Sequence, residues 1–355
     1  MRVYDNVAPN PTSPSSLGNR PLRWVVSGNF LKEQYPMFTP NYILTHSLAF
    51  IPSYGYNRTP TSSVSRLNAL SVPSEIISSQ KFKSTVLWPT LFKAFPRWCH
   101  GRQTTGDCVA WMVSHMADLT DAIRNIGNSR VTELFQTCSE SIYAFGKCEL
   151  KNNYNFHGPG MMGIDAILAS EKFGRLLRKH YGSLSLAHYN GAIAVGWAED
   201  PRRSHGVPDE LEPEAAKHKM LRHLEVSESG TAAAFIEAGY PCGYCGDTRW
   251  GTRSDNQLQA IRFTNGAHAM ALTGVRYAGK KPSHFWVANT GHGDHVEFEE
   301  SPGSTPTRYK ECGTWMPCEM IEPVLRAGDC FVISADGLWN IHTLPAECTA
   351  ETSFD

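Results

Sequence analysis

From Cys108 to Ile126, apolar side chains recur at Val109, Met112, Val113, Met116, Leu119 and Ile123, the spacing of an amphipathic helix. Gly106-Asp107 opens the segment and Gly127 closes it, so Cys108 falls in the first helical turn. Further helices are expected over Val131–Phe145, Ile164–Phe173 (stopped by Gly174) and Thr231–Ala238 (stopped by Gly239). Pro213 opens a polar helix reaching about Val226, with the narrow stripe Ala216, Met220 and Leu224. Strand-like runs follow at Ala267–Tyr277, Phe285–Ala288 and Cys330–Ser334. Helices come first and the sheet second, an α+β order.

The first 80 residues read differently. They hold nine of the 22 prolines and 13 serines, with six basic and three acidic side chains and no sustained period. Such a segment buries too little apolar surface to offset its ordering entropy, which predicts an extended N-terminal arm. Trp24, Phe30, Tyr35, Phe38 and Tyr42 are its candidate anchors, on the chain's own domain or, as the preferred expectation, on neighbouring subunits of an assembly. The domain plan is therefore an arm over 1–95, a globular part over 96–341 divided at 228/229, and a tail over 342–355.

Composition narrows the partners. A net charge of -1 supplies no basic field for nucleic acid or anionic membrane. The best apolar stretch, Ala192–Ala198, is far short of a membrane span, and Met1–Asn6 lacks the apolar core of a secretion signal. A cytoplasmic or virion setting is expected, with most of the ten cysteines as reduced thiols.

Cys108, His268 and Asn289 form the strongest chemical constellation. A thiol attacks only as thiolate, and the N–H groups and positive dipole end at a helix start favour that form. A histidine must hold the proton and return it to the leaving group, and a third polar group must fix the imidazole tautomer.

Around these residues the chain resembles papain-like cysteine peptidases. Gln103-Thr104-Thr105-Gly106-Asp107-Cys108-Val109-Ala110-Trp111 is similar to that family's nucleophile turn, Gly266-Ala267-His268-Ala269-Met270 to its histidine strand, and Phe285-Trp286-Val287-Ala288-Asn289 to its asparagine strand. Gly160-Met161-Met162-Gly163 resembles its Gly-rich helix start, and the likeness, covering Trp98 to Ile341, looks closest to divergent phage and bacterial members. It implies a helical lobe facing a β-barrel-like lobe, peptide or amide hydrolysis by Cys108, His268 and Asn289, an oxyanion contact from Gln103, a peptide or protein substrate, and no cofactor or metal. The chain departs from the family where Gln103 lies five rather than six residues before the cysteine, Arg102 taking the sixth place, and where Thr290-Gly291 replaces the aromatic and Trp-Gly features. The alternative is a structural subunit, for example of a virion, whose papain-like cleft is silent.

Rival signals are weaker. Gly158-Pro159-Gly160-Met161-Met162-Gly163 matches a dinucleotide fingerprint, but no buried strand precedes it. Cys242-Gly243-Tyr244-Cys245 has redox spacing yet begins a strand, and with Cys312 and Cys318 it makes a poor zinc set, so buried thiols are the expectation. His292 and His295 read as surface histidines. His115 lies about 10 Å along the helix from Cys108, too far to take its proton.

Overall fold

The computed structural model describes most of residues 72–349, with breaks at 96–97, 99–102, 128–133, 152–158, 201–205, 253–259, 289–295, 299–307, 311–312 and 328–329. In chain order its elements are α1 (Ser74–Ser78), β1 (Thr85–Val86), α2 (Trp88–Ala94), α3 (Cys108–Gly127), α4 (Ser139–Lys147), α5 (Gly163–Lys172), β2 (His180–Tyr181), β3 (Leu184–Ser185) and α6 (Gly191–Ala198). After these come α7 (Glu212–Ala215), β4 (Arg222–Glu225), α8 (Ser229–Glu237), β5 (Cys242–Thr252), β6 (Ala260–Ala278), β7 (Lys281–Ala288), β8 (Val296–Phe298), β9 (Arg308–Lys310), β10 (Gly313–Pro317), α9 (Cys318–Arg326) and β11 (Cys330–Ser334).

The principal sheet runs β10-β7-β6-β5-β11-β4, with β1 also on β6, and every pairing is antiparallel. Side-chain alternation divides the core between its two faces. Ala269 and Ala271 of β6, Trp286 and Ala288 of β7, and Phe331 and Ile333 of β11 join one cluster with the start of α3 and with α4 and α5. Their neighbours Met270, Leu272, Phe285, Val287 and Val332 join a second cluster with α8, α2 and the end of α3. Small residues on the first face let the central helix approach closely. At Gly243 of β5, a Cβ would sit 2.9 Å from the Met112 sulfur and 3.0 Å from that of Met116.

Four sequence expectations need correction. Residues 72–95, assigned to the arm, are part of the globular body: β1 pairs Thr85 with Val275 and Val86 with Gly274. Ile76, Leu87 and Leu91 are wholly buried in the second cluster. Each such side chain contributes about 1.5–3 kcal/mol of burial, which a serine- and proline-rich average conceals. The remainder of the arm, residues 1–71, lies outside the described residues.

The polar helix expected from Pro213 ends at Ala215 with a further tight turn to His218, and Arg222–Glu225 is a strand on β11. Leu224 and Val226 are buried on either side of a half-exposed Glu225, a period of two that the helical stripe mimicked. Of the helix expected from Val131, residues 131–133 lie outside the described residues, 134–138 are not helical, and the helix begins at Ser139. Just before it, the Thr137 N–H donates to Asp118 Oδ1 (2.8 Å) and the Cys138 N–H to the Leu176 carbonyl (2.8 Å).

The tail expected from 342 is held down through Thr349. The His342 N–H donates to the Ala238 carbonyl at 3.1 Å, Cys348 is buried 3.2 Å from Thr90 Oγ1, and Thr349 bridges to Thr85. Among the described residues, no helix is long and apolar enough to cross a membrane.

Candidate active site

Cys108 is the first residue of α3, a 20-residue helix, and it is wholly buried. Its cluster neighbours include Val109, Met112, Ala269 and Cys245. Ala269 pairs with Cys245 across β5–β6, and the next pair is His268 with Gly246. His268 is 8% exposed, at the point of β6 adjoining the alanine face on which α3 rests. The nucleophile and histidine candidates thus belong to two packed elements. Asn289 follows the last residue of β7 and lies outside the described residues, so only its strand is placed: Ala288 pairs with Ala271.

The turn before Cys108 is tied to the first lobe at several points. Gln103 is half-buried, and one of its two N–H groups donates to the Thr105 carbonyl at 2.7 Å. The Thr104 N–H reaches the Tyr189 hydroxyl at 3.4 Å, and Thr105 Oγ1 donates to Glu199 Oε1 at 2.8 Å. A Cβ at Gly191, the first residue of α6, would collide with Thr104, so glycine is what admits the turn there. Asp107 is wholly buried, and its carbonyl accepts from the Trp111 N–H at 3.1 Å in the first turn of α3.

Burial pushes the Asp107 carboxyl well above its ordinary range; the charges of Glu140 and Glu199 add to this, while the Tyr189 hydroxyl and the residue's own backbone partly offset it. That matters for Cys108, because an anion in the adjoining position would disfavour a thiolate. Glu140 is fully buried, but its charge is balanced by Arg178 Nη2 at 2.7 Å and by the Asn190 N–H at 2.8 Å.

Other candidates take structural places. Burial pushes the Cys242 and Cys245 thiols well above their ordinary range, and both are free; Cys242 meets the Ala232 carbonyl at 3.8 Å. Cys318 contacts Glu322 at 3.6 Å, whereas Cys312 is outside the described residues, as are His292 and His295. His115 is buried against Trp98, with ring centres 4.9 Å apart. Gly160 adopts φ +95°, and its N–H is committed to the Tyr143 hydroxyl at 2.9 Å. Tyr143, Tyr189 and Glu199 escaped the sequence reading: each lies 35 or more residues from Cys108, and no local pattern marks a tertiary hydrogen bond.

No protein-family model and no curated protein sequence matches the chain. Solved structures do, and they show the fold to be that of papain-like cysteine proteases. Xylellain, a cysteine protease from Xylella fastidiosa, matches with a TM-score of 0.53 at 17% identity, over 80% of this chain and 96% of that one. A procathepsin B from Trypanosoma congolense matches at a TM-score of 0.45 and 11% identity, over 79% of this chain and 85% of the other.

Proposed function

We propose that the protein is a cysteine peptidase or a closely related acyl-transfer enzyme acting on peptide or protein substrates. The observation that carries this reading is Cys108 as the first residue of a long helix packed on the strand that bears His268, within a papain-like fold. The Cys108 thiolate attacks the scissile carbonyl carbon, forming a C–S bond. The His268 imidazolium gives its proton to the leaving amine as the C–N bond breaks. Water, deprotonated by His268, then releases the acyl group and regenerates the thiol. Asn289 orients the ring, and the Cys108 backbone N–H with the Gln103 amide stabilises the oxyanion.

Turnover of a fluorogenic peptide library, combined with mass-mapped alkylation by iodoacetamide, tests this. Turnover lost in Cys108→Ala and in wild type alkylated at Cys108 supports the reading. A wild type that cleaves nothing, with Cys108 unreactive, overturns it. That outcome would favour the second reading, a structural subunit with a silent cleft, for which the complete burial of Cys108 speaks.

A further inference from the structure

Two hydroxyls converge on one carboxylate oxygen in the first lobe. Glu199 Oε1 accepts from Thr105 Oγ1 at 2.8 Å and from the Tyr143 hydroxyl at 2.5 Å. The same phenol oxygen accepts from the Gly160 N–H at 2.9 Å and from Lys147 Nζ at 3.3 Å. A phenol has one proton to donate and two lone pairs, so Tyr143 uses its full hydrogen-bonding capacity. Its ring is wholly buried in α4, and burial, followed by the Glu199 charge, pushes its ionisation far above the ordinary range, so it remains an O–H donor.

The connected points are far apart in sequence. Thr105 stands three residues before Cys108, Gly160 three before the start of α5, and Glu199 directly after α6. We propose that Glu199 and Tyr143 are a positioning pair that sets the nucleophile turn against the Gly160 segment, with Lys147 as its cationic anchor. Part-buried networks of this kind favour one geometry, and a hydrogen bond to a carboxylate is roughly twice as strong as a neutral one. The turn carries the Cys108 N–H and Gln103, and a misplacement of about 1 Å at such donors costs on the order of 100-fold in rate. The catalytic part of this inference rests on the peptidase reading; the tether does not.

The test compares wild type with Glu199→Ala, Glu199→Gln, Tyr143→Phe and Thr105→Val by amide hydrogen exchange and steady-state kinetics on the peptide library. Glu199→Ala should accelerate exchange in both the 103–108 and 160–162 segments and lower kcat by about 10- to 100-fold, with KM within about threefold. Glu199→Gln retains an oxygen that can accept from both hydroxyls and should recover most of the loss. A merely structural carboxylate would not give that split with that rescue. Tyr143→Phe should loosen the Gly160 segment, and Thr105→Val, a near-isosteric change, should reproduce a smaller kcat loss if Glu199→Ala does not fold. Exchange unchanged in both segments overturns the proposal, as does a Glu199→Gln that behaves like Glu199→Ala. Should wild type prove inactive, the peptidase reading fails and exchange alone decides the tether.

Discussion

Glu149 offers a test of the electrostatics in which the magnitude follows from the geometry. It sits just beyond α4, where Oε1 accepts the Val207 N–H at 2.6 Å, and Oε2 is buried with no hydrogen-bond partner among the described residues. Burial pushes its carboxyl from 4.5 up to about 7; the charges of Glu212 and Asp209 add to this, while the Val207 and Glu149 N–H groups oppose it. Between those pH values the folded protein retains a proton that the unfolded chain has lost, so this group's contribution to stability falls as pH rises through the window. At about 1.4 kcal/mol per pH unit the ceiling is about 3.5 kcal/mol. The residue as a whole is only half-buried, and screening reduces the expected effect to about 1–2 kcal/mol. Glu149→Gln keeps the carbonyl that accepts from Val207 and is neutral at every pH. In urea unfolding the variant should match wild type near pH 4.5 and exceed it by about 1–2 kcal/mol at pH 8. The raised carboxyls of Asp107, Asp118, Asp165 and Glu225 are common to both proteins and cancel in the difference. A difference independent of pH, or a variant less stable at pH 8, would refute the reasoning.

Iodoacetamide at pH 6 should label Cys108 ahead of Cys242 and Cys245, whose thiols burial holds in the protonated form, and peptide mapping reads the order. His268→Ala should lower turnover by about 100- to 10,000-fold with the fold retained by circular dichroism; unchanged turnover removes His268 as the base. The upward push that burial gives the Asp107 carboxyl predicts that Asp107→Asn leaves the pH profile of Cys108 alkylation unmoved, whereas a large shift would show that Asp107 is charged. Deleting 1–71 should leave a cooperatively unfolding domain that fails to join any assembly the arm serves, with calorimetry and co-assembly as readouts. Deleting 1–95 should unfold it, since Ile76, Leu87 and Leu91 together contribute about 5–9 kcal/mol, comparable to a typical domain's whole stability.

The elements that could be read from sequence carry their pattern within one uninterrupted segment: a helical period in α3, and continuous apolar runs in two strands that are buried on both faces. Gly106-Asp107 and Gly127 frame the central helix, and the observed span, Cys108–Gly127, differs from the expected one by a single residue. The strand runs at Phe285–Ala288 and Cys330–Ser334 likewise fall within β7 and on β11. Misreadings arose where two periods coincide. Ala216, Met220 and Leu224 satisfy a helical stripe, and Leu224 with Val226 satisfies a strand; the ladder offered by β11 decides between them, and a partner strand more than 100 residues away is invisible locally. Residues 72–95 failed for a related reason, because the surface that orders them, β6, is supplied almost 200 residues later.

The candidate site divides along the same line. Cys108 and His268 carry local signatures, a helix start after glycine and a histidine entering an alanine-rich strand, and these could be read directly. The groups bonded to the turn before Cys108 carry none, since a tyrosine in α4 and a glutamate after α6 look like any others until the chain is folded. The chemistry explains this asymmetry. A nucleophile and a base must be particular residue types at particular places, so few sequences satisfy them. A positioning network needs only a hydrogen-bond donor or acceptor at the right point in space, and many sequences can supply it from different elements. Sequence therefore points to the candidate nucleophile and base, whereas the Thr105–Glu199–Tyr143–Gly160 chain of hydrogen bonds follows only from the structure.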